Sequence, residues 1–135
     1  MPGNPPQNVT FTGYLPDEEY YGLMNTCQAV MCLTTRNHTM QRGACEALSM
    51  GKPIITSAWP LLLDYFHKGT VHVDNSANGI QAGIAEMLKR IDHYQLEISK
   101  LQLEQRQEWH GKINLLKTLI EQSRQGVKTT IQNKE

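Results

Sequence analysis

Hydrophobic and polar positions alternate or recur in short, separable blocks along the chain. Residues 8 to 15, NVTFTGYL, alternate β-branched or aromatic residues with small ones and reach a turn glycine at Gly13, which predicts a strand running into a turn. PDEEYYGLMNTC follows, with Pro16 placed at a first helical turn and three acids beside it, where the helix dipole favours negative charge. QAVMCLTT (28 to 35) is a short continuous apolar run, as expected of a strand buried on both faces, and the polar loop TRNHT closes it. From about Met40 to Met50 the residues suit a helix, with Gly51 placed to end it in a left-handed conformation. KPIITS (52 to 57) predicts the next strand, WPLLLDYF a short helix or turn packed by its aromatics, and GTVHVD (69 to 74) one more strand. In NSANGIQAGIAEMLKRI, Ile80, Ile84, Met87, Leu88 and Ile91 fall at helical spacing and form one apolar stripe. Strands and helices alternate throughout, so a parallel sheet with helices on its faces is the expected architecture.

The last third changes character. Tyr94, Ile98, Leu101, Trp109, Ile113, Leu116 and Ile120 recur near a heptad spacing in a charged, Gln-rich segment, which predicts one or two long amphipathic helices. Gln105 falls where the stripe needs an apolar residue, and Gly111 costs about 1 kcal/mol relative to alanine in a helix. Docking against the body of the protein is therefore expected rather than an extended self-pairing coiled coil. The expected organisation is an unstructured start over 1–7, an α/β unit over 8–91, amphipathic helices over 92–122 and a polar, fraying tail over 123–135.

The chain has 135 residues, with 13 Lys plus Arg against 13 Asp plus Glu, and the zero formal charge argues against nucleic acid or anionic lipid as a partner. Cys27, Cys32 and Cys45 form neither a C-x-x-C pair nor a Cys/His metal pattern, and read as reduced core residues of a cytoplasmic protein. His67, His72, His93 and His110 show no i, i+4 pair, so no metal site is expected. No run approaches the roughly 20 apolar residues of a membrane span, and the opening MPGNPPQN lacks the regions of a signal peptide. Asp17, Glu18 and Glu19 read as dipole partners rather than as paired acids for hydrolysis.

In doubly wound sheets, ligands bind at the carboxyl ends of the strands, which here carry TGYLP, TTRNHTMQRG and SAWP. The second is the most polar. A polar loop feeding a helix presents free backbone N–H groups and a positive dipole end, which suits a phosphate or pyrophosphate, and the candidates there are Thr39, Met40, Gln41 and Gly43. Glu46 would sit one to two turns into the helix with its side chain leaning back toward the same ligand. It is the out-of-place residue of the segment, a carboxylate among small and apolar neighbours that needs a partner if buried. A ribose could supply one, through two hydroxyl hydrogen bonds. A local backbone or lysine partner is the plainer alternative.

Taken in order, FTGYLPDEE, VMCLTT and EALSMGKPIITS resemble the nucleotide-sugar-binding C-terminal domain of GT-B fold glycosyltransferases, particularly family 4. The resemblance covers roughly residues 8 to 91 and extends weakly to QRQEWHGKINLLKTLI, which looks like that family's aromatic-containing terminal helix. It implies a partial Rossmann-like α/β sheet flanked by helices, the C-terminal half of a GT-B fold, with one or more long C-terminal helices. It further implies a donor-binding domain for a nucleoside diphosphate sugar, UDP- or GDP-linked, without other cofactor, acting in retaining transfer of a hexose to an acceptor hydroxyl. In that pattern Glu46 stands where the family holds the donor ribose. Thr39 to Gly43 match the segment whose amides meet the donor phosphates, and Tyr14 with Leu15 matches the turn along the base.

Two departures bear on function. His38, eight positions before Glu46, stands where the family has a glutamate that contacts donor-sugar hydroxyls, and Thr34-Thr35 replaces Pro-Ser. His38 is thus the one candidate catalytic residue, and the sugar is unreadable. The family's donor domain also begins with two further strand-helix units carrying its basic residues, and these, with the acceptor domain, would have to come from a longer gene or another chain. The isolated chain is accordingly expected to bind weakly and catalyse little or nothing, and to associate with membranes only peripherally and only as part of a full enzyme. An exposed sheet edge makes self-association plausible, and a noncatalytic assembly module of the same fold is the competing reading.

Overall fold

The structure is a computed structural model and describes residues 5–132, with side chains to residue 125. It is an α/β unit: three parallel strands in the order β1 (Val30–Cys32), β2 (Ile54–Ser57), β3 (Thr70–Val73), with helices on both faces and a long C-terminal helix. The helices are α1 (Asp17–Thr26), α2 (Arg42–Ser49), α3 (Pro60–Tyr65), α4 (Ala77–Lys89) and α5 (Ile91–Gln132). Val30 pairs with Ile54, and Ile54 with Thr70. All four residues of β2, the central strand, are buried, which explains why IITS reads as a continuous β-branched and small run rather than an alternating one.

Successive residues of β2 feed two cores. Ile54 packs with Met24 of α1, Ala44, Ala47 and Leu48 of α2, Leu62 and Phe66 around α3, and Ile98 and Leu101 of α5. Ile55 faces the other way, against Val73 and Met87, with Val71, Ile80, Ile91 and Tyr94 at its margin. Helix α2 is small-residue-rich because it lies close to the sheet, and it ends as the sequence predicts. Gly51 is left-handed at φ 67°, its N–H donates to Leu48 O, and the Lys52 N–H donates to Ala47 O, which together close the last turn.

Three expectations need correction. Residues 8 to 15 form no strand: β1 is Val30–Cys32 and no ladder partner lies beside the earlier segment. A strand exists only where another strand takes its N–H and C=O groups, and here the segment runs exposed, with Phe11 open to solvent. Residues 5–7 enter a turn closed by Val9 N–H on Pro6 O, while residues 1–4 lie outside the described residues. Pro16, in turn, precedes α1 as its N-cap, so Asp17, Glu18 and Glu19 make up its acidic first turn.

The second correction concerns the stripe of α4. Gly83 and Met87 are buried and Ile80 and Ile91 half-buried, but Ile84 and Leu88 stay exposed. They flank Met31 at the outer edge of β1, beyond which, among the described residues, no strand extends the sheet to cover them.

The third concerns the C-terminal third, which is one helix, within the one or two expected, but runs on into the segment expected to be a polar tail. Its first half is fixed to the body: Ile98 and Leu101 are fully buried, and α5 crosses so close to Gly69 that a Cβ there would lie 2.4 Å from the Ile98 backbone nitrogen. Gln95 and Gln102 donate to Gly51 O and Ser49 O, satisfying carbonyls at the end of α2, and Gln105 donates to Tyr65 O. The glutamine in the stripe is therefore part of the docking. Beyond it Trp109, Leu115, Leu116, Leu119 and Ile120 are exposed. The helix continues through the expected tail to Gln132, and residues 133–135 lie outside the described residues. Among the described residues no helix is long and apolar enough to cross a membrane.

Candidate functional site

The turn at 13–15, helix α1 and the first turns of α2 converge on a pocket of about 370 Å³ whose walls include Gly13, Tyr14, Leu15, Tyr20, Arg42 and Glu46. Of the residues singled out in the sequence, Tyr14, Leu15, Gly43 and Glu46 line it. Tyr14 is almost wholly exposed, and Leu15 is half-buried. The positive φ of Gly13, 64°, turns the chain so that both residues flank the opening.

Glu46 already has partners inside the chain. Its Oε2 accepts from the Tyr20 hydroxyl at 2.9 Å, and its Oε1 accepts from Arg42 Nε at 2.8 Å and from the Tyr21 hydroxyl at 3.2 Å. Its local partner is neither the backbone nor a lysine, as the plainer alternative had it, but Arg42 one turn before it. The guanidinium beside Glu46 holds its carboxyl below the usual carboxylate range, helped by the two tyrosines, although partial burial works the other way. Burial and the hydrogen bond to that carboxylate push Tyr20 up to about 12, so its hydroxyl stays a donor at any ordinary pH. With 17% of its side chain exposed against 87% for Arg42, Glu46 is the recessed member of the pair and Arg42 the solvent-facing one.

The loop candidates lie elsewhere. Helix α2 begins at Arg42, two residues later than the pattern suggests, with Gln41 as an extended N-cap whose side chain makes no capping bond. The N–H groups of its first turn therefore lack a side-chain acceptor, the condition that suits an anion. Thr39 and Met40 precede that turn, Thr39 half-buried and Met40 exposed. His38 is exposed and left-handed at φ 62°, with its N–H donating to Asn37 Oδ1. None of His38, Thr39, Met40 or Gln41 lines the pocket around Glu46.

The beginning of this loop is pinned by a closed polar cluster at the carboxyl ends of the strands. Ser57 Oγ accepts from Thr34 N–H and donates to Asn75 Oδ1, while Asn75 Nδ2 and Trp59 Nε1 both donate to Thr34 O. Trp59 thus anchors the loop and also lines a pocket of about 240 Å³ with Ala58, Val73, Asp74 and Asn75. Asn75 holds a left-handed φ of 67° to reach its partners. Sequence reasoning missed Tyr20, Tyr21 and Asn75: nothing local links positions 26 or 41 residues apart. The Arg42–Glu46 pair carried a legible signal, the i, i+4 spacing of opposite charges.

Cys27, Cys32 and Cys45 are free thiols, half-buried, and burial raises Cys32 and Cys45 above the ordinary thiol range. Among the described residues no group of three or more His, Cys, Asp or Glu side chains is placed to hold a metal ion. No protein-family model, no curated protein and no solved structure matches the chain.

Proposed function

We propose that the chain binds a nucleoside diphosphate at the Glu46 pocket, as the donor half of a retaining glycosyltransferase that moves a hexose from a UDP- or GDP-linked sugar to an acceptor hydroxyl. The observation that carries this reading is convergence: Tyr14, Leu15, Gly43 and Glu46, set apart by up to 32 positions in sequence, line one pocket. A base would stack along Tyr14, whose ring is free. Ribose hydroxyls would reach Glu46 by displacing the weaker Tyr21 contact, and Arg42, released from its ion pair, would turn to the diphosphate. The open amides at the start of α2 would meet the distal phosphate. His38, outside these walls, is left for the sugar.

Among the described residues Arg42 is the one cation of the pocket walls, so charge neutralisation of a leaving diphosphate would call on further groups, and turnover by these residues alone should be negligible. In this reading the protein works in the cytoplasm beside an acceptor-binding domain. The competing reading, a noncatalytic assembly module, is favoured by the full engagement of Glu46 within the chain. Calorimetric titration with UDP, GDP and ADP separates the two. Saturable binding to one nucleotide, weakened at least tenfold by Glu46→Gln and by Tyr14→Ala, supports donor binding; absence of binding by the folded chain at millimolar nucleotide supports the module.

A further inference from the structure

A second carboxylate stands at the Glu46 pocket. Asp17, the first residue of α1, lines it beside Tyr14 and Leu15, whereas Glu18 and Glu19, its neighbours in the same acidic turn, do not. Asp17 is exposed, and among the described residues its side chain makes no hydrogen bond or ion pair. Glu46, Glu86, Glu97 and Glu108, by contrast, each hold a cation. The helix dipole accounts for acids throughout this first turn. It does not decide what a bound molecule would meet at the one that faces the pocket.

The order of groups along the walls decides that. Tyr20 and Tyr21, both bonded to Glu46, stand three and four positions after Asp17, on the same side of α1 and one turn, about 5.4 Å, further along it. Arg42, the cation of the pocket walls, is paired with Glu46. Charge is therefore divided across the pocket, with the guanidinium on the α2 side and the unpaired carboxylate beside the turn that carries Tyr14. A diphosphate is drawn to Arg42 and repelled by Asp17. With the ribose at Glu46, the base lies between Tyr14 and Asp17, its face on the ring and its outer edge toward the carboxylate.

A carboxylate only accepts, so the edge it meets must donate. Guanine presents two adjacent donors, N1–H and the N2 amino group, spaced to meet the two carboxylate oxygens in the bidentate manner that makes charge-assisted pairs strong. Uracil presents a single N3–H between two carbonyl oxygens that a carboxylate repels. Adenine presents one amino group beside a ring nitrogen that only accepts. Resting on the nucleotide reading of this pocket, we propose that Asp17 selects the base and that the base is guanine, its N1–H and N2 amino group donating to the Asp17 carboxylate.

Calorimetric titration of the folded full chain with GDP, UDP, ADP and xanthosine diphosphate, in wild type, Asp17→Asn and Glu46→Gln, tests this. GDP should bind roughly tenfold tighter than UDP or ADP, or better, and Asp17→Asn should weaken it by a similar factor. Xanthine carries a carbonyl where guanine carries the N2 amino group, so the asparagine amide, one acceptor and one donor, matches it. Asp17→Asn should therefore take the xanthine nucleotide more tightly than GDP, the reverse of wild type, a reversal that an acid serving only the helix dipole would not produce. Saturable binding that Glu46→Gln weakens but that prefers UDP or ADP, or a GDP preference that Asp17→Asn leaves intact, would overturn the assignment of Asp17 while leaving the nucleotide site in place. No binding of any of the four at millimolar concentration would overturn both.

Discussion

Gly43 lies directly over Cys32: a Cβ at position 43 would stand 2.8 Å from the Cys32 sulfur. The glycine in the α2 segment is thus explained by the close approach of that helix to β1, whatever its amide meets at the pocket. Gly43→Ala should destabilise the protein by about 1–3 kcal/mol through overpacking. In a Cys32→Ala background the sulfur is gone, and the same change should become neutral or stabilising by up to about 1 kcal/mol, the helix preference for alanine. Urea unfolding of the four proteins of this cycle gives the sign directly.

Tyr20 and Glu46 tie α1 to α2. Removing the acceptor with Glu46→Ala leaves the half-buried Tyr20 hydroxyl unpaired and should cost about 1–3 kcal/mol. Tyr20→Phe should cost less, and the double change less than the sum of the two. Because the folded Glu46 carboxyl is held below its ordinary value, its contribution is fully present above that ordinary value and is lost as pH falls through the lowered one. Acid titration of stability in wild type and Glu46→Gln should therefore differ in that window and run parallel at neutral pH.

Gly69 leaves no room for any side chain. It is left-handed at φ 65°, and a Cβ would meet the Ile98 backbone at 2.4–2.5 Å. Backbone cannot step aside as a side-chain tip does, so Gly69→Ala should lift α5 off the sheet and cost about 3 kcal/mol or more. Amide exchange should report it as lost protection around Ile98 and Leu101.

His72 on β3 is partly buried, with Nε2 donating to Leu62 O, and burial pushes its imidazole below the ordinary range. The unfolded chain then takes up the proton first, so stability is highest above the ordinary histidine value and falls as pH drops from there toward the lowered one. Replacing it with glutamine, which keeps a donor but does not titrate, should flatten the stability profile as pH falls below the ordinary histidine range.

How far the sequence could be read follows from what each feature depends on. Strands β1 to β3, helix α4 and the Gly51 stop were legible because local pattern and local chemistry decide them: a β-branched run, an apolar period, a glycine after the last turn. The segment NVTFTGYL carries a strand's pattern, yet a strand also needs a neighbour, and none lies beside it in the sheet. Gln105 looked like a break in the stripe because its partner, the Tyr65 carbonyl, lies 40 positions away. Glu46 was legible as a carboxylate needing a partner, and its i, i+4 spacing from Arg42 is a local signal that went unread, whereas Tyr20 and Tyr21 reach it only through the packing of α1 on α2.

The central claim is that Tyr14, Leu15, Gly43 and Glu46 form one nucleotide site. Nitrogen-15 amide spectra of the full chain, recorded while UDP, GDP and ADP are added in turn, test it most directly. The account predicts that one nucleotide shifts Gly13, Tyr14 and Leu15 together with Arg42 to Glu46, saturably, leaves the amides of distal α5 unmoved, and loses these shifts on Glu46→Gln. A folded chain whose Gly13–Leu15 and Arg42–Glu46 amides stay in place at millimolar concentrations of all three nucleotides would contradict it.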